Sequence, residues 1–340
     1  MAIRTRSRKL RKNPVIILMV ISFFLLLGGL YYALSPADNR NEIATVDIPR
    51  GTSFLGSVDL LENAGLIKNK YLFYALVIAR NAQGNIRAGE YELSTSMSPL
   101  DIINKLVKGD IILYKVTIPE DFTVAEIAAR LASHKLVDEK AFVSLCEDAK
   151  FITSLGIEGR SAEGYLYPDT YIFDKTIGAK EIIKTMVKQF WKNFTPEMHE
   201  RAEDVGMTIP EVVTLASIIG KESGFKDEKP LISAVFHNRL KKGMRLQSDP
   251  TAVYEITSTT KVITRKRLLR RTPYNTYMIT GLPPGPIANP AIDSLQAALY
   301  PASVNYLYFV SNNDGSHNFS PSLSAHNKAV IKYQINRKKE

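Results

Sequence analysis

One carboxylate stands where a hydrophobic residue is expected. Across Thr208–Phe225, TIPEVVTLASIIGKESGF, apolar residues recur with helical spacing at Val212, Leu215, Ile218 and Ile219. The next position on that stripe, four beyond Ile218, is Glu222, and Lys221 falls away from it. A carboxyl group on a buried face at the C-terminal end of a helix is hard to ionise. Burial opposes the charge, and the negative end of the helix dipole opposes it further. A glutamic acid kept protonated near neutral pH can act as a general acid. The same pattern fits a Glu222 that turns outward in a frayed last turn, and periodicity does not separate the two.

The helix that must carry this residue is marked at both ends. Thr208 with Glu211 makes a capping box, Pro210 is tolerated in the first turn, and Gly224 is the expected stop. A second helix is expected over Pro230–Leu240, with Ile232, Val235, Phe236 and Leu240 on its apolar face. Three segments dense in polar groups and turn formers follow: Met244–Thr251, Pro273–Tyr277 and Gly281–Pro290. Ordered loops on a rigid scaffold commonly carry binding groups. Asp293–Tyr300 reads as a short helix, Tyr306–Val310 as a strand and Ser324–Lys332 as the closing helix.

Several chemistries lack sequence support. Cys146 is the only cysteine, so neither an intrachain disulfide nor a thiolate metal cluster can form. The five histidines, His134, His199, His237, His317 and His326, show no metal-ligand spacing, and nothing in the chain calls for a cofactor. There is no G-x-S-x-G elbow and no P-loop. The formal net charge of +10 overstates the basic character. Six basic residues (Arg4, Arg6, Arg8, Lys9, Arg11 and Lys12) crowd the first twelve, and without them the excess is +4. That is a weak case for nucleic acid, and none is expected as a partner.

The basic run precedes Val15–Leu34, twenty residues without a charge, long enough to cross a hydrocarbon core as a helix. The charge asymmetry predicts a cytoplasmic tail over 1–14, an uncleaved single-pass anchor over 15–34 and the remainder outside. The tail then lies beside anionic lipid, which accounts for its charge. A polar linker occupies 35–45. Beyond it a repeat of period 70 appears: Val46-Asp-Ile-Pro-Arg-Gly-Thr-Ser53 parallels Val116-Thr-Ile-Pro-Glu-Asp-Phe-Thr123, and Leu61, Leu66 and Ile67 match Leu131, Leu136 and Val137. Each copy reads as a strand, a turn and an amphipathic helix. We expect a small α+β module over 46–115, a second α+β repeat or connecting subdomain over 116–200, and a mixed α+β domain over 201–340. The first module, with its Gly51-Thr52-Ser53 turn before a helix, resembles the peptidoglycan-binding LysM element; a spacer of the same build stays open. Ile182, Ile183, Met186, Val187, Phe190, Trp191 and Phe194 form a core stripe.

The C-terminal half carries a set of motifs in a fixed order. These are Ala216-Ser-Ile-Ile with Lys221-Glu-Ser, Val235-Phe-x-Asn-Arg-Leu240, Met244-Arg-Leu-Gln-x-Asp-Pro-Thr251, Tyr274-Asn-Thr-Tyr277, Gly281-Leu-Pro-Pro-Gly285, Tyr306-Leu-Tyr-Phe-Val310 and His317-x-Phe319. With Glu163-Gly-Tyr-Leu-Tyr-Pro-Asp-Thr-Tyr171 upstream, they resemble the YceG-like endolytic murein transglycosylases over roughly residues 46–335. The resemblance implies a lyase of the inner (plasma) membrane, with its catalytic domain periplasmic or extracytoplasmic. It implies cleavage of the MurNAc-β-1,4-GlcNAc bond of nascent peptidoglycan, leaving 1,6-anhydroMurNAc ends. It places the catalytic, lysozyme-like Glu at Glu222 and implies cell-wall synthases as further partners. Ser223, next to Glu222, resembles the serine of the Glu-Ser pair of lysozyme-like transglycosylases and is a substrate-binding candidate. Gln247, Asp249, Tyr274, Asn275 and Tyr277 fall in loops resembling the family's cleft and are candidates for sugar hydroxyls and acetamido groups, with turn capping or buried hydrogen bonding as the competing role. Glu163 and Asp169 are expected to join domains rather than to react.

One position departs from the family's pattern. Where the family usually reads Glu-Lys-Glu, this chain has Gly220-Lys221-Glu222. The loss of that carboxylate favours an alternative reading, a non-catalytic, membrane-tethered peptidoglycan-binding scaffold.

Overall fold

A computed structural model of the chain describes residues 14–254 and 263–335; the basic tail before Pro14 lies outside them. The chain divides into two compact units, one formed by residues 1–113 with 174–176 and the other by 114–173 with 177–340.

The first unit begins with α1 (Pro14–Leu34), a 21-residue helix long and apolar enough to cross a membrane, with none of its residues buried. Then come β1 (Ile43–Ile48), α2 (Phe54–Asn63), α3 (Lys70–Ala79), β2 (Gly89–Ser94) and α4 (Pro99–Lys108). β1 and β2 pair antiparallel from Ile43 opposite Ser94 to Ile48 opposite Gly89. The helices start where short polar residues satisfy free amides: Ser53 caps α2, Asn69 caps α3, and Ser98 with Asp101 forms a capping box on α4. α4 stops at Gly109, whose φ of 73° is left-handed and suits glycine. Alternate residues of the β1–β2 pair (Val46, Ile48, Tyr91, Leu93) close over Leu61, Phe73, Ile102 and Leu106 as one buried core. The Tyr91 hydroxyl keeps its hydrogen bond inside that core by donating to the Arg87 carbonyl at 2.7 Å.

The second unit opens with the other copy of the repeat. β3 (Tyr114–Thr117) leads through a turn to α5 (Val124–Ser133), capped by the Thr123–Glu126 box. α6 (Glu139–Cys146), α7 (Ala149–Ser154) and β4 (Thr170–Phe173) follow, and β4 pairs antiparallel with β3, as β2 does with β1. Next come α8 (Ala179–Asn193), α9 (Pro196–Asp204), α10 (Ile209–Glu222), α11 (Lys229–Lys241), α12 (Asp249–Val253), α13 (Arg265–Leu268) and α14 (Ile292–Leu299). The hairpin β5 (Tyr308–Ser311) and β6 (His317–Ser320) and the helix α15 (Leu323–Val330) complete the described elements. One continuous core runs from Val116 on β3 through the α8 stripe to α10 and α14. The mixed α+β class expected from sequence is observed.

α10 is the central element of this unit. Every residue from Val212 to Gly220 is buried, so the helix is covered all round rather than on one stripe. Two polar residues within it are absorbed by the backbone. Thr214 Oγ1 donates to the Pro210 carbonyl, and Ser217 Oγ donates to the Thr214 carbonyl while accepting the Ile287 amide at 3.0 Å. That last bond lashes the proline-rich 281–290 loop to the helix. Asn289 fastens the same loop elsewhere. Fully buried, its side-chain oxygen accepts the amides of Gly164 and Leu166, and its amide nitrogen donates to the Phe122 carbonyl and to Glu163. Gly164 is required there: its φ is +91°, and a Cβ would lie 2.6 Å from Pro286 and 2.7 Å from Val213.

Candidate active site

α10 ends at Glu222, with Ser223 as its C-cap and the expected stop, Gly224, immediately after. The reason is local. Ser223 turns extended (φ −141°, ψ 133°), and its buried hydroxyl accepts the Phe225 amide at 3.0 Å, so the chain leaves the helix immediately after the carboxylate. Ser223 is therefore committed to the backbone turn.

Glu222 is half-buried, and its Oε1 accepts a hydrogen bond from the Ser248 hydroxyl. Ser248 is 1% exposed and is held by hydroxyls behind it. Its amide donates to Thr276 Oγ1 at 2.9 Å, its carbonyl accepts Thr251 Oγ1 at 2.6 Å, and the two threonine hydroxyls bond each other at 2.8 Å. Burial pushes the Glu222 carboxyl up to about 7; the Ser248 bond pulls it down, the Asp249 charge pushes it up and Arg239 pulls it down.

The neighbouring groups are set by α11 and α12. Arg239, 7% exposed, reaches from α11 to donate to the carbonyls of Leu246 (2.8 Å) and Leu307 (2.7 Å) and to the Gln247 side chain (3.2 Å), with its guanidinium 5.1 Å from the Tyr308 ring centre. It thus stitches the segment before Ser248 to the β5 hairpin. Gln247 adopts a left-handed φ of 53° and is otherwise exposed. Asp249 starts α12 and accepts a hydrogen bond from the Tyr277 hydroxyl, whose own ionisation is pushed up by burial and by that bond.

Glu222, Gln247, Asp249 and Tyr277 are therefore gathered into one neighbourhood. Asn275 is not presented to it: it is fully buried, its amide donates to the carbonyls of Leu268 and Arg270, and its oxygen accepts the Tyr277 amide. It braces the loop. Tyr274 packs its ring 4.8 Å from that of Tyr254. His317 pairs with Glu228 at 2.7 Å beside Phe309 and Phe319. Among the described residues no group of three or more His, Cys, Asp or Glu side chains could hold a metal.

Sequence reasoning missed Ser248 and Arg239. Both lie inside quoted motifs; Ser248 occupies the one unmatched slot of Met244–Thr251, where no rule of spacing singles it out. Glu163 has the joining role expected of it. That carboxylate, 4% exposed, accepts the Val124 amide at the start of α5 (3.0 Å), the Asn289 side chain (2.8 Å) and the Tyr254 hydroxyl (3.0 Å). Burial pushes it up to about 8, against the pull of the Tyr254 and Val124 bonds and of Lys221.

At Gly220 the structure shows what fills the missing side chain's place. A Cβ there would lie 2.0 Å from Oδ1 of Asp121, which comes from the turn between β3 and α5. Asp121 has a left-handed φ of 61°, that oxygen has no hydrogen-bond partner, and burial pushes the carboxyl up to about 6. A carboxylate does sit against this end of α10, delivered by another segment.

Comparison with known proteins identifies the family. Residues 46–332 match the YceG-like family. The chain belongs to that family. It is 33% identical over 333 residues to a Bacillus subtilis (strain 168) protein named endolytic murein transglycosylase, spanning 91% of both chains. A Streptococcus pneumoniae (strain D39) protein of the same name is 29% identical, with 92% of this chain matching 65% of that longer relative. Among solved structures, a YceG-like protein of Listeria monocytogenes superposes with a TM-score of 0.59 at 36% identity, covering 85% of this chain and 99% of that one. The YceG-like assignment extends over both units, and the Glu222 neighbourhood lies in the second.

Proposed function

We propose that this protein is a membrane-anchored endolytic murein transglycosylase that cuts the MurNAc-β-1,4-GlcNAc bond of nascent peptidoglycan, leaves 1,6-anhydroMurNAc ends and so terminates strand growth. The observation that carries the reading is Glu222: a half-buried carboxyl at the end of α10, raised to about 7 and held by a single hydroxyl donor. The names of the relatives in B. subtilis and S. pneumoniae support the reaction class.

The chemistry needs one group that first gives and then takes a proton. Protonated Glu222 donates to the glycosidic oxygen, and the bond from that oxygen to C1 of the muramyl residue breaks. The resulting Glu222 carboxylate accepts the proton of the muramyl C6 hydroxyl, whose oxygen closes onto C1. The acid is regenerated, no water is consumed, and the separate base or nucleophile of a hydrolytic glycosidase is unnecessary. The Ser248 hydroxyl orients the carboxyl, and the Asp249 charge favours the protonated form before the first step. Gln247 and Tyr277 are the groups placed to meet sugar substituents.

α1 serves as the anchor, with the N-terminus cytoplasmic and the chain beyond α1 outside, where glycan strands and the synthases that make them are the partners. The scaffold reading loses its motive at Gly220, because Asp121 occupies the space that the missing side chain would need.

The test is digestion of purified glycan strands with the full-length protein and with Glu222→Gln. The proposal expects new anhydromuramyl ends, reduced at least about 100-fold in the variant, as loss of a general acid requires. New reducing ends in place of anhydro ends would show hydrolysis and remove the single-carboxylate mechanism.

A further inference from the structure

α3 is apolar on both sides. Its sequence, KYLFYALVIA, buries Phe73 and Val77 in the core of the first module. The opposite side is exposed and equally apolar: Tyr71 is 72% exposed, Ile78 44% and Leu72 37%, with Ala75 and Ala79 beside them. Single exposed hydrophobic residues are ordinary, but a helix with two apolar faces requires a second apolar environment.

The environment next to that second face is α1. A groove of about 680 Å³ separates the two helices, walled by Leu25, Leu26 and Leu30 on one side and Leu72, Ala75 and Ala79 on the other. Leu25 to Ala33 is the C-terminal half of α1, the last ~12 Å of a helix rising 1.5 Å per residue. The level of α3 is fixed by a bond at the helix end. Lys68 Nζ donates to Ser35 Oγ at 2.6 Å and sits 4.9 Å from the Tyr32 ring centre. Lys68 and Lys70 thus mark one end of α3 and Arg80 the other, with Tyr31, Tyr32 and Tyr71 alongside. Lysine, arginine and tyrosine around an apolar surface are the residues favoured at a lipid headgroup boundary.

We propose that α3 is an interfacial helix seated in the outer leaflet, with lipid acyl chains filling the groove between it and α1. This rests on α1 being the membrane anchor. The occupant follows from that: if lipid surrounds α1 to Leu34, lipid reaches the groove of which α1 is one wall. The groove follows α1 for about 12 Å, slightly beyond the roughly 5–10 Å to which the apolar face of an interfacial helix is buried. The first module then rests on the membrane instead of swinging from the linker.

The test uses the full-length protein in vesicles of phosphatidylethanolamine and phosphatidylglycerol that contain doxyl-labelled lipid. An environment-sensitive fluorophore is placed singly at Ile78→Cys, Tyr71→Cys, Leu25→Cys and Asp47→Cys; the native Cys146 is buried. Ile78 and Tyr71 are exposed, so neither substitution removes core packing. The expected result is loss of emission to doxyl lipid at Ile78 and Tyr71 approaching that at Leu25, with Asp47 on the outer side of β1 unquenched. Quenching at Leu25 while Ile78 and Tyr71 remain accessible to aqueous iodide would overturn the proposal and leave the anchor standing. Labels at Ile78 and Tyr71 shielded from both quenchers would overturn it too, with protein as the cover. No lipid quenching at Leu25 would overturn the anchor and the proposal together.

Discussion

Gly220 and Asp121 form a pair whose coupling can be measured. Replacing Gly220 by alanine has two opposing effects. In a helix interior alanine is favoured over glycine by about 1 kcal/mol. The new Cβ would lie 2.0 Å from Oδ1, 2.7 Å from Cγ and 2.9 Å from Oδ2 of Asp121, so the carboxylate must swing out of a packed site. Overpacking of this kind costs about 1–3 kcal/mol. Gly220→Ala in the native background should therefore range from neutral to destabilising by ~2 kcal/mol. Asp121→Gly removes the obstruction without losing a bond from Oδ1, which has no partner, and it suits the left-handed backbone at that position. In the Asp121→Gly background the same alanine should stabilise by up to about 1 kcal/mol. The double-mutant cycle then carries a coupling of about 1–3 kcal/mol. For a unit the size of the second one, each kcal/mol moves the melting midpoint by about 2–4 °C, so thermal unfolding of four purified proteins in one detergent resolves the change of sign. Additive effects within about 0.5 kcal/mol would refute the argument that Asp121 fills the place of the missing side chain. The functional corollary is that Gly220→Glu does not raise cleavage, because the added side chain enters occupied space.

The pH dependence of kcat/KM should fall as pH rises past about 7, since the first step needs Glu222 protonated. Asp249→Asn removes a charge that pushes Glu222 up and should move that limb to lower pH, whereas Ser248→Ala removes a bond that pulls it down and should move the limb to higher pH; shifts in the same direction would contradict the electrostatics described. Glu163 titrates at about 8 when folded, against an ordinary 4.5, so the folded state holds a proton that the unfolded chain releases. Its stabilising contribution is complete below about pH 4.5 and is lost as pH rises through about 8; Glu163→Gln should flatten the decline of melting temperature across that window, and an unchanged slope would assign the decline to other groups.

What the sequence made legible was local. Thr208, Pro210 and Glu211 fall within four residues of one another, and the helix they start is the helix observed. The repeat of 70 residues was equally visible, and its two copies give β1–β2 and β3–β4 pairs with helices capped by Ser53 and Thr123. What stayed hidden depends on contacts between distant segments. Ser248 reaches Glu222 across 26 residues of chain, and its posture depends on Thr251 and Thr276, none of which shows a periodic signal. Gly220 read as a loss because the residue that compensates, Asp121, lies on an element nearly one hundred residues earlier. The helix end at the carboxylate was legible as well, but the serine hydroxyl that accepts the Phe225 amide just beyond it was not.

Two glutamates in this unit are raised well above the ordinary carboxyl range, and elevation alone would favour Glu163, at about 8, over Glu222, at about 7. Their surroundings reverse the ranking. Three donors converge on Glu163 from α5, the 281–290 loop and Tyr254, and only 4% of the residue meets solvent. A proton there has no path to a polysaccharide without breaking the joint that holds those segments together. Glu222 accepts one hydroxyl bond at one oxygen and is half-exposed, with an exposed glutamine and a tyrosine hydroxyl among its neighbours. A general acid must reach the oxygen it protonates, to within a hydrogen-bond length, before its pKa matters. Glu222 is both raised and open to solvent, whereas Glu163 is raised but enclosed and braces the segments around it. The two carboxyls thus separate by experiment. Glu222→Gln should remove cleavage with little change in folding, and Glu163→Gln should alter the pH dependence of folding while leaving the fall of cleavage above about pH 7 in place.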